Sequence, residues 1–86
     1  MARYEVVFDK SVSRDLRPIP SRDVRRILDA FRSLAENARP FQSQKLSGQE
    51  KYRLRVGIYR ILYRIDDSQR LVYVVKIAHR KDAYRA

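Results

Sequence analysis

The run KYRLRVGIYRILYR, residues 51 to 64, holds five cationic side chains, Lys51, Arg53, Arg55, Arg60 and Arg64, and no acid. A guanidinium stays charged at physiological pH and presents its donors as a planar fork that matches phosphate oxygens. His79, Arg80, Lys81 and Tyr84 add an imidazole, two cations and a phenol near the end of the chain. This set suits metal-free cleavage of a phosphodiester in RNA. The ribose 2′-hydroxyl attacks the adjacent phosphorus, so the protein need supply no nucleophile. It must take the 2′ proton, neutralise charge on the phosphorane and protonate the 5′ leaving oxygen. Arginine performs the second task. Tyrosine and arginine titrate far from neutral pH, so the first and third tasks depend on how closely the substrate is positioned.

Individual residues carry more than one reading. His79 is the only side chain with an unperturbed pKa near neutrality, which suits a general acid or base; the alternative is a strand end that packs or hydrogen-bonds. Tyr84 is either an acid–base or base-stacking group or an aromatic tucked against a sheet. Arg60 is a phosphate ligand or a solvated strand residue, and Arg64 and Lys76 fit a general electrostatic surface. Other chemistries lack their parts. One histidine, no cysteine and scattered carboxylates give no metal-ligand cluster, so neither metal nor cofactor is expected. Gly48 and Gly57 are the only glycines, which leaves no phosphate-cradling loop, and no Ser/His/Asp arrangement stands out.

The elements that must position these groups follow from periodicity. Tyr52, Leu54 and Val56 alternate with Arg53 and Arg55, and Tyr59, Ile61, Tyr63 and Ile65 alternate with Arg60 and Arg64. The period of two predicts a hairpin turning at Gly57, apolar on one face and basic on the other. Leu71 to Ala78 predicts a third, central strand, followed by a short polar tail. At the start, Arg3 to Phe8 predicts a strand with Tyr4, Val6 and Phe8 on one face. A helix capped by Asp9 or Ser11 runs to about Arg17 and ends before Pro18 and Pro20. A longer helix begins with Ser21 as N-cap, buries Val24, Ile27, Leu28, Phe31, Leu34 and Ala35, and ends near Asn37. Its opposite face, with Arg22, Arg25, Arg26, Asp29 and Arg32, is either solvated or a docking face for an acidic segment. Residues 38 to 50 predict a loop pinned by Phe41 and Leu46. The fold class is α+β, in the order β-α-α-β-β-β: an antiparallel sheet whose last three strands form a meander, with two N-terminal helices on one face.

At 86 residues this is one domain, residues 1–86, with a modest core, and its formal net charge is +10. Charge on that scale points to a polyanionic partner: nucleic acid first, then an acidic protein, then an anionic membrane surface. No apolar run reaches membrane-spanning length and no signal-peptide segment opens the chain, so a cytoplasmic location is expected.

The run KLSGQEKYRLRVGIYRILYRIDD, the third strand and the ending HRKDAYR resemble the RelE family of bacterial toxin–antitoxin toxins. The phrases YRLRVGIYRILY and AHRKDAYR are typical of the RelE/ParE superfamily, and the strand and helices before them fit the same pattern. The resemblance implies a toxin held inactive by a cognate acidic antitoxin in a hetero-oligomeric complex. It also implies entry into the ribosomal A site and metal-free cleavage of mRNA there. Carried over residue by residue, Arg60 and Arg80 bind phosphate and the transition state, and Tyr84 is the acid–base or stacking residue. Arg53 and Arg55 hold the backbone and share proton handling. The family often has lysine at those two positions, and arginine, unlike lysine, does not give up its proton. Lys45 and Lys51 would contact ribosomal RNA; Arg64, Lys76, His79 and Lys81 would extend the RNA-binding surface. Two other functions compete. One is a ParE-like toxin that binds and inhibits DNA gyrase. The other is a basic RNA-binding module without chemistry, marked by salt-dependent binding and no cut product.

Overall fold

The computed structural model describes residues 3–46 and 51–79. The elements are β1 (Glu5–Phe8), α1 (Lys10–Leu16), α2 (Ser21–Glu36), β2 (Ser43–Lys45), β3 (Lys51–Val56), β4 (Tyr59–Asp66) and β5 (Leu71–His79). They build one α+β layer pair, a five-stranded sheet in the order β1-β5-β4-β3-β2 with the helices on one face. All neighbours pair antiparallel except β1 with β5, which are parallel.

The β3–β4 hairpin forms where the alternation predicts it. Val56 pairs with Tyr59, which leaves Gly57 and Ile58 as a two-residue loop. Gly57 has φ of 60° and Ile58 does not share the positive sign, as a type II′ turn requires. The Arg26 guanidinium of α2 lies beside this turn, its Nη1 3.4 Å from where a Cβ at position 57 would stand, an ordinary contact, so the positive φ is what favours glycine here.

The core lies between the helices and the inner sheet face. Ile27, Phe31 and Leu34 of α2 and Val12 of α1 pack with Tyr52, Leu54, Ile61, Tyr63, Ile65, Val72, Val74 and Ile77. Tyr52 and Tyr63 stack at 5.6 Å, and the buried Tyr63 hydroxyl donates to the Ala38 carbonyl at 2.9 Å. A second clasp joins the chain's distant parts. Arg39 donates through both terminal nitrogens to Asp67 and through Nε to the Tyr52 hydroxyl, while Tyr4 donates to Asp67. Hydrogen bonds from Arg39, then from Tyr4, hold the Asp67 carboxyl down at about 2.

Helix α1 closes a border of the sheet. β1 ends at Phe8, so beyond Val74 the outer edge of β5 has no strand beside it. There the Ser11 hydroxyl donates to the Val75 carbonyl at 3.0 Å, and Asp15 accepts from the Ile77 amide at 3.0 Å. The helix thus satisfies backbone groups that a strand would otherwise pair. Asp9 is its N-cap, accepting from the Ser11 amide and hydroxyl.

Several expectations need correction. Residues 38 to 50 are not all loop: Ser43–Lys45 form β2 against β3, a three-residue polar strand without alternation to betray it. Phe41 is fully exposed, and the segment is anchored instead by Ala38, Arg39 and the Tyr63 hydroxyl. Pro20 is the N-cap of α2 and Ser21 its first residue, with the Pro20 carbonyl accepting from Asp23 and Val24. Leu28, expected in the core, is exposed beside Phe8 and Leu16. The expected central position of the last strand holds, since β5 lies between β1 and β4, and it pairs with β4 through a register shift at Leu62/Tyr63. Among the described residues no helix is long and apolar enough to cross a membrane.

Candidate nucleic-acid interface

The face turned away from the helices carries rows of basic residues set by strand register. Paired residues on neighbouring strands point to the same side. Arg55, Arg60 and Ala78 form one row, nearest the Gly57 turn. Gln44, Arg53, Leu62 and Lys76 form the next. Lys51, Arg64 and Tyr73 form the third, at the far end.

The first two rows meet in a polar cleft of about 250 Å³ lined by Gln42, Gln44, Arg53, Arg55 and Arg60. Arg53 Nη2 donates to Gln44 Oε1 at 2.6 Å, which fixes its fork against β2. Arg55 is exposed, whereas Arg60 is only 3% exposed, the one charged side chain in the buried set of the described residues. Directly opposite like charges destabilise a strand pair. An anion bound in the cleft would offset that repulsion, since it would meet two guanidinium groups on a rigid floor. The arrangement can hold a phosphate and stabilise negative charge growing on it. None of the described groups lining the cleft is a histidine or a carboxylate.

The other sequence-chosen residues divide. Lys51 and Arg64 share the basic face. Lys76 begins on it but leans to the sheet border, where its Nζ lies 3.6 Å from Asp15 Oδ1. Lys45 pairs with Tyr52 and so takes the side of that core residue. His79 pairs with Tyr59, and its ring meets the Tyr59 ring edge-on at 5.7 Å. That places it on the face opposite Arg60, in the packed reading of this residue. Arg80, Lys81 and Tyr84 lie outside the described residues. The sequence placed Arg26 on the solvated or docking face of the long helix, not at the turn, and did not single out the two glutamines. Arg26 adds a cation at the hairpin turn through a helix–turn contact that pattern alone does not reveal. Gln42 and Gln44 enter with β2, whose existence the sequence hides. No group of three or more His, Cys, Asp or Glu side chains that could hold a metal gathers among the described residues.

Comparison with known proteins agrees with the fold. A family model described as the ParE toxin of the type II toxin–antitoxin system parDE matches residues 6–84. Toxin RelG of Mycobacterium tuberculosis is 34% identical over 87 residues, covering 95% of this chain and 97% of its own length. In the crystal structure of the archaeal RelE–RelB complex from Pyrococcus horikoshii, one chain matches with a TM-score of 0.83 and 29% identity, over 93% of this chain and 97% of that one. In the RelBE2 toxin–antitoxin complex from Mycobacterium tuberculosis, a chain matches with a TM-score of 0.78 and 31% identity, over 91% and 99% of the respective chains.

Proposed function

Because this chain belongs to the RelE/ParE toxin family of type II toxin–antitoxin systems, we propose that it arrests growth as an endonuclease that cuts messenger RNA in the ribosomal A site. The observation that carries the reading is the Arg55–Arg60 pair: two cations face each other across β3 and β4, one of them buried, in a cleft with room for a phosphate group. The 2′-hydroxyl of the message attacks the neighbouring phosphorus. Arg60 and Arg55 take the charge of the phosphorane, with Arg53 on the adjoining backbone. Arg80 adds a second transition-state contact, and Tyr84 handles a proton or stacks on a base. The described cleft offers arginines where a base must act, so the ribosome's hold on the message supplies the alignment.

In the cell the toxin is held by an acidic antitoxin. Several crystallised relatives, that of Pyrococcus horikoshii among them, are complexes with RelB, and the charge of +10 on this chain would steer an acidic partner to it. A second reading keeps the fold and changes the target: the matching family model is that of ParE, which favours a toxin that binds DNA gyrase without cleaving anything. Mapping RNA 5′ ends after induction without antitoxin separates them. New ends within translated codons, abolished when translation is blocked, are expected. Growth arrest with intact message and gyrase-type DNA damage would overturn the nuclease.

A further inference from the structure

The basic face has a second site, at the end away from the Gly57 turn. Lys51, Arg64 and Tyr73 stand in one row across β3, β4 and β5, and with Leu71 they line a cleft of about 630 Å³. The Arg64 guanidinium carbon lies over the Tyr73 ring, 5.6 Å from its centre. The ring is held from behind: its hydroxyl donates to Asp9 Oδ1 at 3.0 Å, and Asp9 is fixed in turn by Ser11 as the cap of α1. Two carboxylates also border the cleft, and both are engaged. Asp67 is bound by Arg39 and Tyr4, and Asp66 accepts from Ser68 and the Gln69 amide inside its own turn. Among the described residues neither Lys51 nor Arg64 has a carboxylate partner.

We propose that this cleft is a nucleotide subsite, binding one phosphate between Lys51 and Arg64 and seating the attached base on the Arg64–Tyr73 stack. The site offers positive charge together with a planar cation–aromatic surface, and single-stranded RNA uses both at once. An acidic peptide would use only the charge. The inference rests on the nuclease reading for its direction. Arg60 and Arg64 are four residues apart along β4, about 13 Å at the rise of a strand. The subsite therefore holds a nucleotide more than one step from the phosphate at Arg55 and Arg60, with Leu62 as the apolar floor between them.

The test measures binding of fluorescent, uncleavable 2′-O-methyl oligouridylates to the purified full chain at low salt. A hexanucleotide spans both sites and a dinucleotide only one, so the longer probe binds about tenfold more tightly. Arg64→Gln and Tyr73→Leu each remove most of that gain. Tyr73→Phe, which keeps the ring, retains the gain. Equal affinity for the two lengths, or a gain that survives Arg64→Gln, overturns the subsite. So does an Arg64→Gln variant that loses antitoxin binding and keeps RNA binding, which assigns the cleft to the protein partner. These probes carry no free 2′-hydroxyl. A length gain without cellular cleavage would remove the nuclease and keep the subsite.

Discussion

Arg60 pairs directly with Arg55 across the β3–β4 ladder, and of the two it is the buried one. Arg60→Met removes a facing like charge and is expected to leave the chain folded. The same change should lower mRNA cleavage on programmed ribosomes by roughly 10²-fold or more. Thermal unfolding and cleavage assays on the same preparation check the pair of outcomes. A folded and fully active variant would contradict the role given to Arg60.

The tail should behave differently from the sheet. Arg80→Ala and Tyr84→Phe are expected to preserve the fold, with a melting temperature within about 2 °C of the parent. Each should relieve growth arrest on induction, by loss of a phosphate contact in one case and of a phenolic proton in the other. Full toxicity in both variants would move the chemistry elsewhere.

Acid should unfold the protein partly through Asp67. Its carboxyl is held at about 2 in the folded chain, against about 3.9 for an unfolded aspartate. A lowered folded value means a stabilisation that is complete above about pH 4 and is lost as pH falls through about 2. Urea unfolding midpoints measured across that window should fall less steeply for Asp67→Asn than for the parent. Some slope should persist in the variant, because the Asp9 and Asp66 carboxyls are also lowered, each by hydrogen bonds from its own turn or cap.

The inner tyrosine tests the anchoring of residues 38 to 42. Tyr63→Phe keeps the stack on Tyr52 but strips the Ala38 carbonyl of its hydrogen-bond donor. A cost of about 1–2 kcal/mol is expected by chemical denaturation, with cleavage unaffected at a temperature where the variant is folded. A neutral change would mean that water replaces the phenol.

What could be read from the chain was whatever periodicity controls. Alternation located β3 and β4 and assigned Arg53, Arg55, Arg60 and Arg64 to one face, as the register bears out. It could not reveal β2, because three polar residues carry no pattern and their pairing with β3 is a tertiary event. Nor could it reveal that Arg60 is buried while Arg55, its facing partner, is exposed: alternation gives the side of a sheet, not the depth. The clasp of Arg39, Asp67, Tyr52 and Tyr4 joins positions far apart in sequence, so no local window contains it. For His79 the sequence left two readings, and its pairing with Tyr59 supports the packed one.

The Ser11 and Asp15 contacts to β5 have a consequence for how molecules of this toxin meet one another. With that flank occupied by a helix of the same chain, the edges left among the described strands are those of Glu5–Phe8 and Ser43–Lys45. Strands of four and three residues give a foreign strand little to hold, and mutual repulsion of like-charged copies works against the approach. Concentrated preparations should accordingly resist fibril growth despite their strand-rich composition.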